Sequence, residues 1–132
     1  MREAARNWIE FAKRDFSAAK KLEEDEYLAN ICLFHCQQTI EKLFKAVLEE
    51  NKIRIPKIHS ITTLFEKLPD DLKIENFINI DELGLIDDIY IDARYPGEIG
   101  LIPGGFPTKN DTSEVLRITH KVYSAVIKYL DS

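Results

Sequence analysis

Neither glycine nor proline occurs in the first 55 residues of this 132-residue chain. Both residues break helices, so their absence leaves that stretch free to be continuously helical. Only two cysteines are present, Cys32 and Cys36, too few for a disulfide framework. No apolar run approaches the roughly 18 residues of a transmembrane helix. The N-terminal segment MREAARNWIEFAKRD is charged and amphipathic and lacks the apolar stretch of a signal peptide, which points to the cytoplasm. Positive charge is not in excess. Eighteen Lys and Arg stand against 23 Asp and Glu, a net charge of -5. That balance argues against a broad electrostatic grip on nucleic acid and leaves room only for a local basic patch. A glycine-rich phosphate loop, a nucleophile elbow and an HExxH motif are all missing.

What is present is apolar material at helical spacing. Hydrophobic residues make up 45% of the chain, enough for one core, and the length fits one domain over 1–132. Helix one is expected from about Arg2 to Glu24, with Trp8, Ala12, Ala19 and Leu22 on one face and Phe11 and Phe16 flanking. Helix two is expected from about Tyr27 to Asn51. Its stripe of Leu28, Cys32, Cys36, Leu43 and Val47 is widened by Leu33, Ile40 and Phe44, so it should have neighbours on several sides. A connector, Ile53 to Lys57, contains Pro56. A short helix follows from about Ser60, its N-cap, to Leu68, and Pro69 ends it. Residues 69–80 read as loop with at most a turn of helix. Helix four is expected from Asp81 to Tyr95, with Ile86, Ile89, Tyr90 and Ala93 inward, and Pro96 stops it. Four of the five glycines and three of the five prolines fall between 96 and 107, which reads as one long loop. The last helix is expected from Asp111, capped by Asp111 with Glu114, to Leu130. The fold class is all-α: an up-and-down bundle of four main helices plus a short one.

Several polar residues interrupt this pattern. On a helical wheel Asp15 falls between Trp8, Ala19 and Leu22, where an ionised carboxylate needs a partner. A structural ion pair is the expectation. Helix two carries a polar row of His35, Gln38, Lys42 and Glu49. Phe34, Glu41 and Lys45 fall on a second row, read as the outer, wet side. Lys42 and Lys45 are of the type that holds phosphate, although solvation is the commoner role of surface lysines. Asp87, Asp88 and Asp92 do not converge as metal ligands must, so a solvated acidic face is expected. Arg94 ends a helix beside Tyr95, where a guanidinium can make bidentate contacts to phosphate or carboxylate. Cys32 and Cys36 lie on the core stripe, where cysteine behaves as a small hydrophobe rather than a ligand. No metal and no cofactor is expected.

Three segments taken together resemble a known family: RNWIEFAKRDFSAAKKLEEDEYLANICLFHCQQTIEKLFKAVL, KIHSITTLFEKL and YIDARYPGE. Their order and spacing are similar to the HEPN domain, the small helical domain named for higher eukaryotes and prokaryotes nucleotide-binding. The resemblance implies a helical bundle, commonly a homodimer, often paired with a minimal nucleotidyltransferase in a toxin–antitoxin-like system. It also implies a pocket for nucleotide or RNA phosphate at Gln38, Glu41, Lys42, Lys45, His59, Arg94 and Tyr95. Ribonuclease members carry an Arg followed by a His after four to six residues. Here Arg94 is followed by Tyr95, and no His occurs in 95–101. The expectation is therefore a nucleotide- or RNA-phosphate-binding module. A metal-independent endoribonuclease and a ligand-free helical interaction domain are the alternatives.

Overall fold

In a computed structural model, the structure describes residues 1–75, 78–94 and 107–131. Every regular element among them is helical: α1 (Glu3–Leu22), α2 (Ala29–Glu50), α3 (Ile61–Glu66), α4 (Asp70–Glu75), α5 (Ile80–Arg94) and α6 (Lys109–Leu130). A 3-10 turn, Glu26–Leu28, leads into α2. The all-α bundle is as expected. The short α4 takes up 70–75 of the stretch 69–80 expected as loop with at most a turn of helix, with Asp70 and Asp71 in its first turn, where acids suit the helix dipole. The long loop expected over 96–107 lies almost wholly outside the described residues.

α1 and α2 form an antiparallel pair. Arg2 bonds Glu50 at one end, and Cys32 bonds the carbonyl of Ala19 at the other. α6 runs antiparallel to α1 and parallel to α2, since Lys109 meets Glu26 and Tyr129 meets Asn51. α2 is the central helix, packed against α1, α3, α5 and α6. Leu33, Ile40, Leu43, Phe44, Val47 and Leu48 are fully buried there. Truncating Phe44 to Ala would remove about 3–5 kcal/mol of packing.

Two boundaries move for identifiable reasons. α6 starts at Lys109, because Thr108 is the N-cap and Asp111 sits at the third helical position, completing a reciprocal capping box. Taking Asp111 itself as the cap places the helix start three residues late. In α1, Ala5, Ile9, Ala12, Phe16 and Ala19 are buried, while Phe11 is exposed, with the Arg14 guanidinium over its ring. α2 ends with Lys52 at φ 57, while the next amide, Ile53, reaches back to the carbonyl of Leu48. That is a left-handed helix stop, a position glycine usually fills.

Candidate functional site

The polar chemistry of the bundle gathers on α2 around two carboxylates. Asp15 of α1 faces α2, with Oδ1 2.8 Å from His35 Nδ1 and Oδ2 2.5 Å from Lys42 Nζ. This is the ion pair that its place on an apolar face demands. His35 and Lys42 are seven residues apart, two turns of one face, so a single carboxylate can clasp both.

Glu41 forms the second centre. Its Oε2 lies 3.2 Å from Lys45 Nζ, one turn on, and its Oε1 lies 3.0 Å from His59 Nδ1. Glu41 and Lys45 are buried, not on a wet outer face. The reason is coverage: Trp8 of α1 lies over Lys45, and the α2–α3 connector brings His59 across Glu41. A wheel drawn on α2 alone cannot register neighbours that arrive from elsewhere in the chain. The His59 side chain is 73% exposed, while the Glu41 side chain is only 5% exposed. A carboxylate only accepts hydrogen bonds, so it places the imidazole proton on Nδ1 and leaves Nε2 without a partner among the described residues.

The connector is fixed beneath that imidazole. Fully buried Gln37 donates to the carbonyl of His59 at 2.5 Å, and Gln38 donates to the Gln37 side chain at 2.9 Å. Ser60 caps α3 as expected, accepting from the amide of Thr63. Asp87 of α5 accepts from the hydroxyls of Ser60 and Thr62 and the amides of Ile61 and Thr62. Asp87 therefore pins the α3 start to α5 and is no part of a solvated acidic face. Arg94 closes α5 two turns further on, about 10 Å along the axis. The side chains of Tyr90, Asp92, Ala93 and Arg94 lie outside the described residues, as does Tyr95.

Of the expected pocket residues, the structure thus brings Gln38, Glu41, Lys45 and His59 to the α2–α3 end. Lys42 belongs to the Asp15 clasp instead. Sequence reasoning passes over Gln37 and misplaces Asp87 on a wet acidic face. For Asp87 the available signal is its distance from the other acids on the wheel, which makes a cap as natural as a wet face.

The remaining groups have other work. Cys32 and Cys36 are fully buried. The hydrogen bond with Cys32, together with burial, pushes the Cys36 thiol up, so it remains protonated. Glu82 of α5 accepts from Lys121 at 2.8 Å and Arg117 at 2.7 Å on α6. Those donors, Lys121 first, hold its carboxyl below the usual range against the opposing effect of burial. Arg117 also pairs with Glu114. His120 stacks on Phe16 with ring centroids 5.9 Å apart. No described helix is long and apolar enough to cross a membrane.

A family model for the HEPN domain matches residues 5–129. The chain belongs to the HEPN domain family. Two solved structures share its fold. The crystal structure of TT1696 from Thermus thermophilus superposes with a TM-score of 0.79 at 24% identity, covering 96% of this chain and 98% of that one. ST0689, described as an archaeal HEPN homologue, superposes with a TM-score of 0.72 at 25% identity, covering 98% of each chain. No curated protein matches the sequence significantly. The bundle above is therefore the HEPN fold, with the Glu41–His59 pair at the junction of α2 and α3.

Proposed function

We propose that this HEPN domain is a nucleotide- or RNA-phosphate-binding module, working in the cytoplasm as a homodimer with a minimal nucleotidyltransferase in a toxin–antitoxin-like pair. The observation that carries the binding role is the solvent-facing His59 imidazole, held by a buried carboxylate, on a backbone whose carbonyl a buried glutamine holds. A side chain that ordinarily samples several rotamers is here fixed with one nitrogen free, the arrangement a recognition group needs. In this reading Gln38, His59, Arg94 and Tyr95 face the ligand, Arg94 supplying the guanidinium for phosphate and Tyr95 the ring for a base. Glu41 and Lys45 hold His59 in place, and Lys42 closes the Asp15 clasp. The dimer and the nucleotidyltransferase partner rest on the family resemblance.

The same imidazole favours one second reading. A histidine oriented by a carboxylate can move protons, so an endoribonuclease using His59 as acid or base with Arg94 on the phosphate is its chemical extension. The missing linear Arg–His motif weighs against it. A thermal-shift screen with nucleotides and short RNAs, with the RNA recovered afterwards, decides between the two. The binding module raises the melting temperature of wild type but not of Arg94→Ala, and leaves RNA intact. RNA cut by wild type and spared by Arg94→Ala selects the enzyme. No shift and no cleavage with any ligand overturns both.

A further inference from the structure

Beside His59 the connector forms a second feature. Arg54, Ile55, Pro56, Lys57 and Lys67 line an open cavity of about 600 Å³, within the size range of small-ligand sites. Three of the five lining residues are cations, and none is an acid. Arg54, Lys57 and Lys67 are exposed, and none has an ion-pair partner among the described residues. By contrast Lys42, Lys45, Lys121 and Arg117 are each neutralised by a carboxylate. A solvated surface accounts for exposed lysines one at a time. It does not account for their arrangement here. Ile53, Ile55 and Ile58 pack on the core and turn the intervening Arg54 and Lys57 outward, while Lys67 at the end of α3 closes the other wall. The chain enters this segment through Lys52 in the left-handed region, so the backbone is set by a fixed turn. Three basic residues thus line one concave surface of a chain whose net charge is -5.

We propose that this groove is a polyphosphate site, taking adjacent phosphates such as the tail of a nucleoside triphosphate or successive phosphates of a single RNA strand. Adjacent phosphates repel each other and are held by several cations around a shared concavity, the arrangement on this surface. The choice of nucleotide or RNA as the source rests on the binding function proposed above; the groove itself does not.

The test is calorimetric titration of the full chain with inorganic tripolyphosphate at low salt. Wild type binds, and affinity falls as salt rises. Arg54→Ala, Lys57→Ala and Lys67→Ala each weaken binding roughly three- to tenfold, and the triple variant abolishes it. All three side chains are exposed, so the variants are expected to fold; circular dichroism checks this. Tripolyphosphate carries no base or sugar, so its binding reads the groove apart from the His59 reading, and Lys109→Ala, an exposed cation at the N-terminal end of α6 whose amide meets Glu26, leaves it unchanged. Competition with ATP and with a short single-stranded RNA at equal phosphate concentration identifies the source, the stronger competitor being the ligand. Absence of binding by wild type at low salt, or undiminished binding by the triple variant, overturns the proposal.

Discussion

Asp15 and Glu41 are the same device used twice. Each carboxylate holds one histidine through Nδ1 and one lysine through Nζ, and each is mostly buried, at 12% and 5% side-chain exposure. They differ in what they leave open. Asp15 reaches from α1 to two residues of α2, and its His35 is 27% exposed. That cluster ties two long helices together. Glu41 holds a lysine on its own helix and a histidine from a connector, and that histidine is 73% exposed. The same chemistry produces an interhelical clasp in one place and a fixed, solvent-facing imidazole in the other. What distinguishes them is the origin of the histidine: a helix side chain stays within the bundle, and a connector side chain stands at its edge.

This contrast can be broken at several points. The largest effect is expected from Glu41→Ala, which strands Lys45 beneath Trp8 without its counter-charge. Leaving one partner of a buried pair alone costs about 3 kcal/mol, measurable as a lowered midpoint in chemical denaturation. Asp15→Ala comes next, at about 1–2 kcal/mol, because His35 and Lys42 can reach water once released. Equal losses at the two sites would contradict the difference in burial. His59→Gln should change stability by no more than about 0.5 kcal/mol while removing the nucleotide- or RNA-dependent rise in melting temperature. The smallest effect tests an acid centre outside both clusters. Glu82 has a carboxyl held low in the folded state by Lys121 and Arg117. Its contribution is therefore complete above the ordinary carboxylate value of about 4.5 and is lost as pH falls through the lower folded-state value. After solvent screening the Glu82→Gln variant should lose about 0.5 kcal/mol at neutral pH and show a flatter acid limb in a pH series of melting curves.

Most of the fold is legible in the sequence because it rests on periodicity. The apolar stripes of α1, α2 and α6 and the Ser60 cap all follow from local rules. α4 is not legible. Six residues give too short a window for a helical period, and its acids read equally well as loop. The site is legible in part. Asp15 announces its need for a partner by sitting on an apolar face, but nothing local can name His35 and Lys42. Glu41 and Lys45 fall on a wheel's wet face because their cover comes from Trp8 and His59, which are distant in sequence. The family resemblance supplies His59 and Gln38, which no spacing rule singles out. Arg54 and Lys57 carry a readable signal in the alternation of cation and apolar residue over 52–58, whereas Lys67 does not, and their joint cavity depends on how α3 folds back.

The most direct test of the contrast is to follow the imidazole Cε1–Hε1 signals of His35 and His59 by NMR while titrating a nucleoside triphosphate and, separately, a short single-stranded RNA. The account predicts that one of these ligands moves the His59 signal in a saturable way and leaves that of His35 in place. A shift at His35 with His59 unmoved, or no movement at either with both ligands, would contradict it.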